Sequence, residues 1–118
     1  VQSLSRAWFL EQLGPHVGMG DRKTDLFFMG IVSLLGALLL RPMDEIVEQL
    51  TLAKDVERGL LGQDGRMGEA LELARALENA DWRAVPVTCG DLSTDPGIVA
   101  RLYVDAVRET SRILGAED

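Results

Sequence analysis

Two residues with reactive side chains, His16 and Cys89, are each the sole member of their type in 118 residues. A single thiol cannot close an internal disulfide, and one cysteine with one histidine cannot build a Cys/His zinc site. To act as a nucleophile Cys89 needs a base beside it, and the only histidine lies far along the chain. Cys89 therefore reads as a structural thiol. His16 stands between Pro15 and Val17 with no Cys, Glu or second His close by, so it reads as a loop histidine, not a ligand or proton shuttle. The stretch GPHVGMG (14–20), followed by Arg22 and Lys23, invites a phosphate-cradle reading. It lacks the GxGxxG and GxxxxGK(S/T) spacings and no strand precedes it, which makes it a loop leading into a helix. Asp44 and Glu45 are adjacent, so on a helix their carboxylates point about 100° apart. In a first turn they already have a role against the helix dipole.

Charge narrows the classes further. With 12 basic against 19 acidic residues the chain carries a net charge of −7. A nucleic-acid binder needs a basic stripe to displace counterions, so Trp8, Phe9 and Trp82 read as packing or interface residues, not base-stacking platforms. Arg101, Arg108 and Arg112 fall on one side of the last periodic segment and form a solvated face or a modest docking stripe. The composition implies no metal and no cofactor. It fits one reduced, cytoplasmic domain spanning 1–118, long enough to bury a core. The longest uncharged run, residues 26–40, would span roughly 22 Å as a helix, short of the ~20 residues a bilayer crossing needs. No membrane insertion is expected. Val1 stands where a start methionine would, which predicts a processed or excised piece of a longer protein.

The elements that must position these residues all read as helices. No stretch sustains apolar/polar alternation, whereas helical punctuation recurs. Trp8, Phe9 and Leu13 follow Ser3 or Ser5 as candidate caps, and Gly14-Pro15 supplies a stop. A second helix runs from Asp21 or Thr24 to Leu40. A third starts at Pro42 and buries Met43, Ile46, Val47 and Leu50. A short fourth carries Val56, Leu60 and Leu61 and ends at Gly62. The fifth starts near Asp64 as N-cap, with Met67, Leu71, Ala74 and Leu77 on one face. Residues 85–93 hold Pro86 and Gly90 and read as a connection. The last helix, capped by Asp95 and stopped by Gly115, sets Val99, Leu102, Tyr103, Ala106, Thr110, Ile113 and Leu114 on one side. The result is an all-α domain, a compact orthogonal bundle of five or six helices.

The second helix carries the strongest pattern. Gly30, Ser33 and Ala37 fall at i, i+3 and i+7, small enough to admit another helix closely, and apolar residues all round predict a buried hub.

These segments resemble a known family, the HDOD (HD-related output) domains of the subtype that follows EAL domains. RAWFLEQL (6–13) resembles that subtype's "RAxFCExLA"; FMGIVSLLGALL (28–39) resembles "FLxGLFSLLDALL"; PMDEI (42–46) is similar to "PMEEIL". The likeness continues through LTL (50–52), VERGLL (56–61) and residues 65–71 to ENADW (78–82). It implies an HD-domain-like fold and a regulatory or output module of bacterial signal transduction in a cyclic-di-GMP context. The family's N-terminal "DPxLxxxLLxxxNS" segment has no counterpart, which implies the C-terminal part of such a domain. Residues 30–40 lie over the "GLLHDIGKLLL" segment that bears the metal-binding His-Asp pair in active HD enzymes. Ser33 stands at the His position and Leu34 at the Asp position, so the resemblance implies a degenerate dyad. Gly36 also replaces an aspartate common in the subtype.

Two function classes follow. One is a non-catalytic module acting through a neighbouring domain of its parent chain, EAL-type by resemblance, or through self-association by an uncovered apolar face. The other is a divergent metal-dependent phosphohydrolase that keeps activity with altered ligands.

Overall fold

A computed structural model describes residues 2–113. Among them lie seven α-helices and no strand: α1 (Gln2–Leu13), α2 (Lys23–Leu39), α3 (Met43–Glu48), α4 (Lys54–Leu60), α5 (Arg66–Glu78), α6 (Ala84–Asp91) and α7 (Pro96–Ile113). Two short 3₁₀ turns, Gly14–Val17 and Gly20–Arg22, join α1 to α2. The all-α class is as expected; the helix number is seven instead of five or six. No helix of the described residues is long and apolar enough to cross a membrane.

The additional helix is α6, over residues read as a connection. Its Val85, Thr88 and Cys89 are buried, and Leu92 follows at the same spacing. Pro86 sits in the first turn, where a backbone N–H has no partner within the helix, so it interrupts nothing. Asp81 caps this helix by accepting the Ala84 N–H (3.2 Å), and Asp95 caps α7 by accepting the Ile98 N–H (3.2 Å). Asp64 does not cap α5. That place is taken by Gly65, whose φ of 142° an aspartate would adopt only under strain. Ser5 is no cap either, because α1 has already begun and the residue is buried within it. The Ser3 side chain, Leu114 and Gly115 lie outside what the structure describes.

The hub is α1 more than α2. Ala7, Phe9, Leu10 and Leu13 are fully buried, and α1 packs between α2 and α7 while touching α5. Helices α4 and α6 flank α5, and α3 sits on the end of α2. The first two-thirds of α2 is buried through Leu26, Met29, Gly30, Val32, Ser33 and Leu34, but the helix does not stay inside. Ala37, Leu38, Leu39 and Leu40 are exposed, the last at 90%. An apolar sequence on all sides does not ensure burial on all sides when no element covers the helix end.

At Gly30 helices α1 and α2 cross with almost no gap: a Cβ there would stand 2.6 Å from the Ala7 Cα. Further round the bundle, Arg22 donates to both oxygens of Asp55 at the start of α4 (2.8 and 2.9 Å) and to Asp25 (2.7 Å). Those hydrogen bonds hold the Asp55 carboxyl below its usual value.

Gly30→Ala is expected to lower stability by about 1–3 kcal/mol in urea titrations, since backbone on α1 must move; a change near zero would mean the crossing is looser than described. Asp55 contributes stability above its ordinary carboxyl range that fades as pH falls through its depressed folded value. Both partners are partly solvated, so the effect is small. Asp55→Asn should flatten the decline of stability on acidification below about pH 4, read from urea midpoints.

Candidate functional site

The crossing that seats Gly30 on Ala7 also brings together side chains from three helices. Arg6 precedes Ala7 on α1, and Ser33 lies one turn beyond Gly30 on α2. Glu78 ends α5 and closes the set. The Arg6 guanidinium donates from Nε to Glu78 Oε2 (2.7 Å) and from Nη2 to Oε1 (2.6 Å), a two-pronged pair. Its remaining arm, Nη1, donates to Ser33 Oγ (2.9 Å). Ser33 Oγ in turn donates to the Gly30 carbonyl (2.7 Å) within its own helix. The side chains of Arg6 and Glu78 are only 12% and 6% exposed, so the pair is largely out of water.

Two further groups lie in its field. Burial, reinforced by the charge of Arg6, lowers the Arg75 guanidinium from its ordinary value. Burial likewise pushes the Tyr103 hydroxyl up, and the Glu78 charge adds to that. Tyr103 reaches the cluster from α7 by packing its ring edge-on against Phe9, with centroids 5.9 Å apart and planes at 78°.

The arrangement is closed on itself. A guanidinium is a permanent cation with donors only and cannot ligate a metal. Both oxygens of Glu78 receive hydrogen bonds, and Ser33 Oγ has used its proton and receives another. Leu34, next to Ser33, is a buried apolar side chain. Among the described residues no group of three or more His, Cys, Asp or Glu side chains is placed to hold a metal ion.

The remaining sequence-derived residues do not join this cluster. Trp8 is half-buried against the core and Phe9 is wholly inside it. Ala37 is exposed, so the small-residue stripe contacts α1 only at its first part. Trp82 is 67% exposed, which excludes a core role. Arg101 and Arg108 are exposed on α7, and Arg112 pairs with Glu109 one turn away. His16 is exposed, whereas Cys89 is buried with its thiol pushed up by burial and by Asp95. Arg22, which followed the glycine-rich loop, is engaged with Asp25 and Asp55.

The comparison with known proteins bears on this segment. Over 106 residues, 90% of this chain, it is 35% identical to the cyclic di-GMP phosphodiesterase CdgJ of Vibrio cholerae, of which it covers 24%. Over 117 residues, 98% of the chain, it is 30% identical to YuxH of Bacillus subtilis, an uncharacterized protein of which it covers 27%. The chain thus spans about a quarter of the length of the curated relatives it matches. It is homologous to a segment of each. No family model matches the chain, and no solved structure matches it.

Arg6 and Glu78 were not singled out as a pair from sequence, although a signal existed. Arg6 heads the stripe that continues with Phe9, Leu10 and Leu13, and Glu78 extends Met67, Leu71 and Ala74 at i+11. A lone charge on each of two buried faces, opposite in sign, calls for a partner.

Removing one member strands the other in a dry site. Arg6→Met or Glu78→Leu should each cost about 3–5 kcal/mol. The double variant should cost less than the two singles together, a coupling measurable by a denaturation cycle. Strict additivity would show that the two side chains do not stabilise the fold as a pair.

Proposed function

We propose that this chain is a non-catalytic regulatory module of a bacterial cyclic-di-GMP signalling protein, acting by contact with a neighbouring domain or another copy. The observation that carries the reading is the occupant of Ser33. Where the resemblance to HDOD and HD-type domains puts a metal-binding histidine, a serine accepts a hydrogen bond from Arg6 instead. Its neighbour Leu34 offers no donor atom at the aspartate position. A positive charge already rests there, held by Glu78, so a divalent cation would meet repulsion and a saturated carboxylate. Homology to a segment of CdgJ supports the signalling context. The resemblance to EAL-linked domains supports an EAL-type neighbour as the partner.

That CdgJ is by name a phosphodiesterase favours a second reading, a divergent phosphohydrolase with other ligands. The two readings separate in one experiment. Protein purified without chelators is assayed for bound metal and for hydrolysis of cyclic di-GMP and of a chromogenic phosphodiester. The module reading expects metal far below one equivalent and no turnover above the buffer rate. Stoichiometric Mn, Fe, Ni or Zn with turnover abolished by a chelator would establish the enzyme and overturn the module.

A further inference from the structure

The end of α2 carries two local costs on one residue. Leu40 terminates the helix with φ 55° and ψ 40°, the left-handed region usually given to glycine or asparagine, and its side chain is 90% exposed. Leu38 and Leu39 beside it are 71% and 56% exposed. Three consecutive leucines in water form an apolar projection that the fold itself does not need.

Next to the projection lies a recess. Leu35 and Leu39 of α2, with Ile46 and Leu50 from α3 and just beyond it, line a groove of about 360 Å³. Arg41 and Glu45 stand at its edge as an ion pair within the chain, 3.6 Å apart and both more than half exposed, so each keeps a solvent-facing side for a further charge. One face therefore holds a knob, an apolar groove for a knob, and an exposed pair of opposite charges.

That combination is self-complementary. A two-fold axis would set Leu40 of each copy into the groove of the other and Arg41 of each copy against Glu45 of the other, the reciprocal geometry that closed dimers require. We infer that this face is a homodimer surface, with a second copy of this chain as its occupant. The inference rests on the contact-based function proposed above and names the surface used. Its readout is mass rather than turnover, so either can fail while the other stands. A patch confined to one helix end is small, which places the dimer among weak, reversible ones.

The test is sedimentation velocity on the 118-residue chain from about 1 to about 200 μM. The expected result is a monomer–dimer equilibrium within that range. Leu40→Asn keeps a residue that tolerates the left-handed turn and removes the knob; it should weaken dimerisation at least about tenfold while thermal unfolding at low concentration stays unchanged or rises. Arg41→Glu and Glu45→Arg should each weaken self-association by reversing one charge of each contact. Mixed in equal amounts, these two variants should form a heterodimer, because both cross-contacts become attractive again. A chain that stays monomeric throughout, a dimer indifferent to Leu40→Asn, or a mixture that fails to pair would each overturn the proposal. A monomer whose leucine face is instead covered by a different domain would assign the face to that contact and overturn the homodimer.

Discussion

Helices α1 and α2 meet at Gly30 with no room for a side chain, and much of the molecule follows from that contact. Backbone against backbone leaves little freedom in the depth or the axial register of the crossing. With Ala7 seated on Gly30, Arg6 lies over Ser33, and the arginine's reach then determines where the end of α5 must come so that Glu78 can receive it. Helix α7 is brought in on the other side of α1 through Phe9 and Tyr103. A larger residue at position 30 would therefore disturb a charged cluster and an aromatic contact besides one helix pair.

The cluster is a costly way to join helices. Stripping water from a guanidinium and a carboxylate forfeits solvation that their attraction repays only with good geometry and satisfied remaining valences. Here both conditions hold: the pair is two-pronged, and the third arm of Arg6 finds Ser33, whose own proton goes to the Gly30 carbonyl. An apolar trio of similar volume would pack with less penalty and also with less discrimination. Leucines accept any register that fills space, whereas a guanidinium fork accepts one. The same saturation that makes the cluster stable makes it chemically quiet. On the proposed reading, a position related to a metal-binding histidine has become a structural socket for a fixed cation, and chemistry has been exchanged for register.

How much of this was legible in the sequence depended on whether a residue's role was local. The stripes of α3, α5 and α7 were readable because the 3.6-residue period is a property of each helix alone: Ile46 and Val47, Met67 to Leu77, and Val99, Ala106 and Thr110 are buried as their spacing implies. Helix α6 was hidden by Pro86 and Gly90, two residues that end helices elsewhere but are harmless in a first turn and on an exposed side. The α5 start was misplaced by one residue because an aspartate is the commoner cap, while the backbone there takes a φ suited to Gly65. Non-local roles were harder. Burial of Arg6 and Glu78 is set by helices far apart in sequence, and their pairing could be suspected only by comparing two separate stripes. Ser33 was noticed for what it lacks, a metal-binding imidazole; its actual partner depends on the crossing.

The end of α2 shows the opposite limit. Periodicity says which residues of a helix are apolar, but not how far along its axis neighbouring elements extend. Helix α1 crosses near Gly30 and α3 packs on one side of α2 around Gly36, so the other side of the axis runs past its cover and leaves Leu38, Leu39 and Leu40 exposed. The strained turn at Leu40 could be relaxed by a single substitution without touching the core. That such a leucine stands there is hard to explain by folding alone. Inside, Arg6 is paired with Glu78, while outside an apolar residue stands in a conformation that opposes it. On the proposed reading, the attraction left unspent at the end of α2 is directed outward, toward another surface.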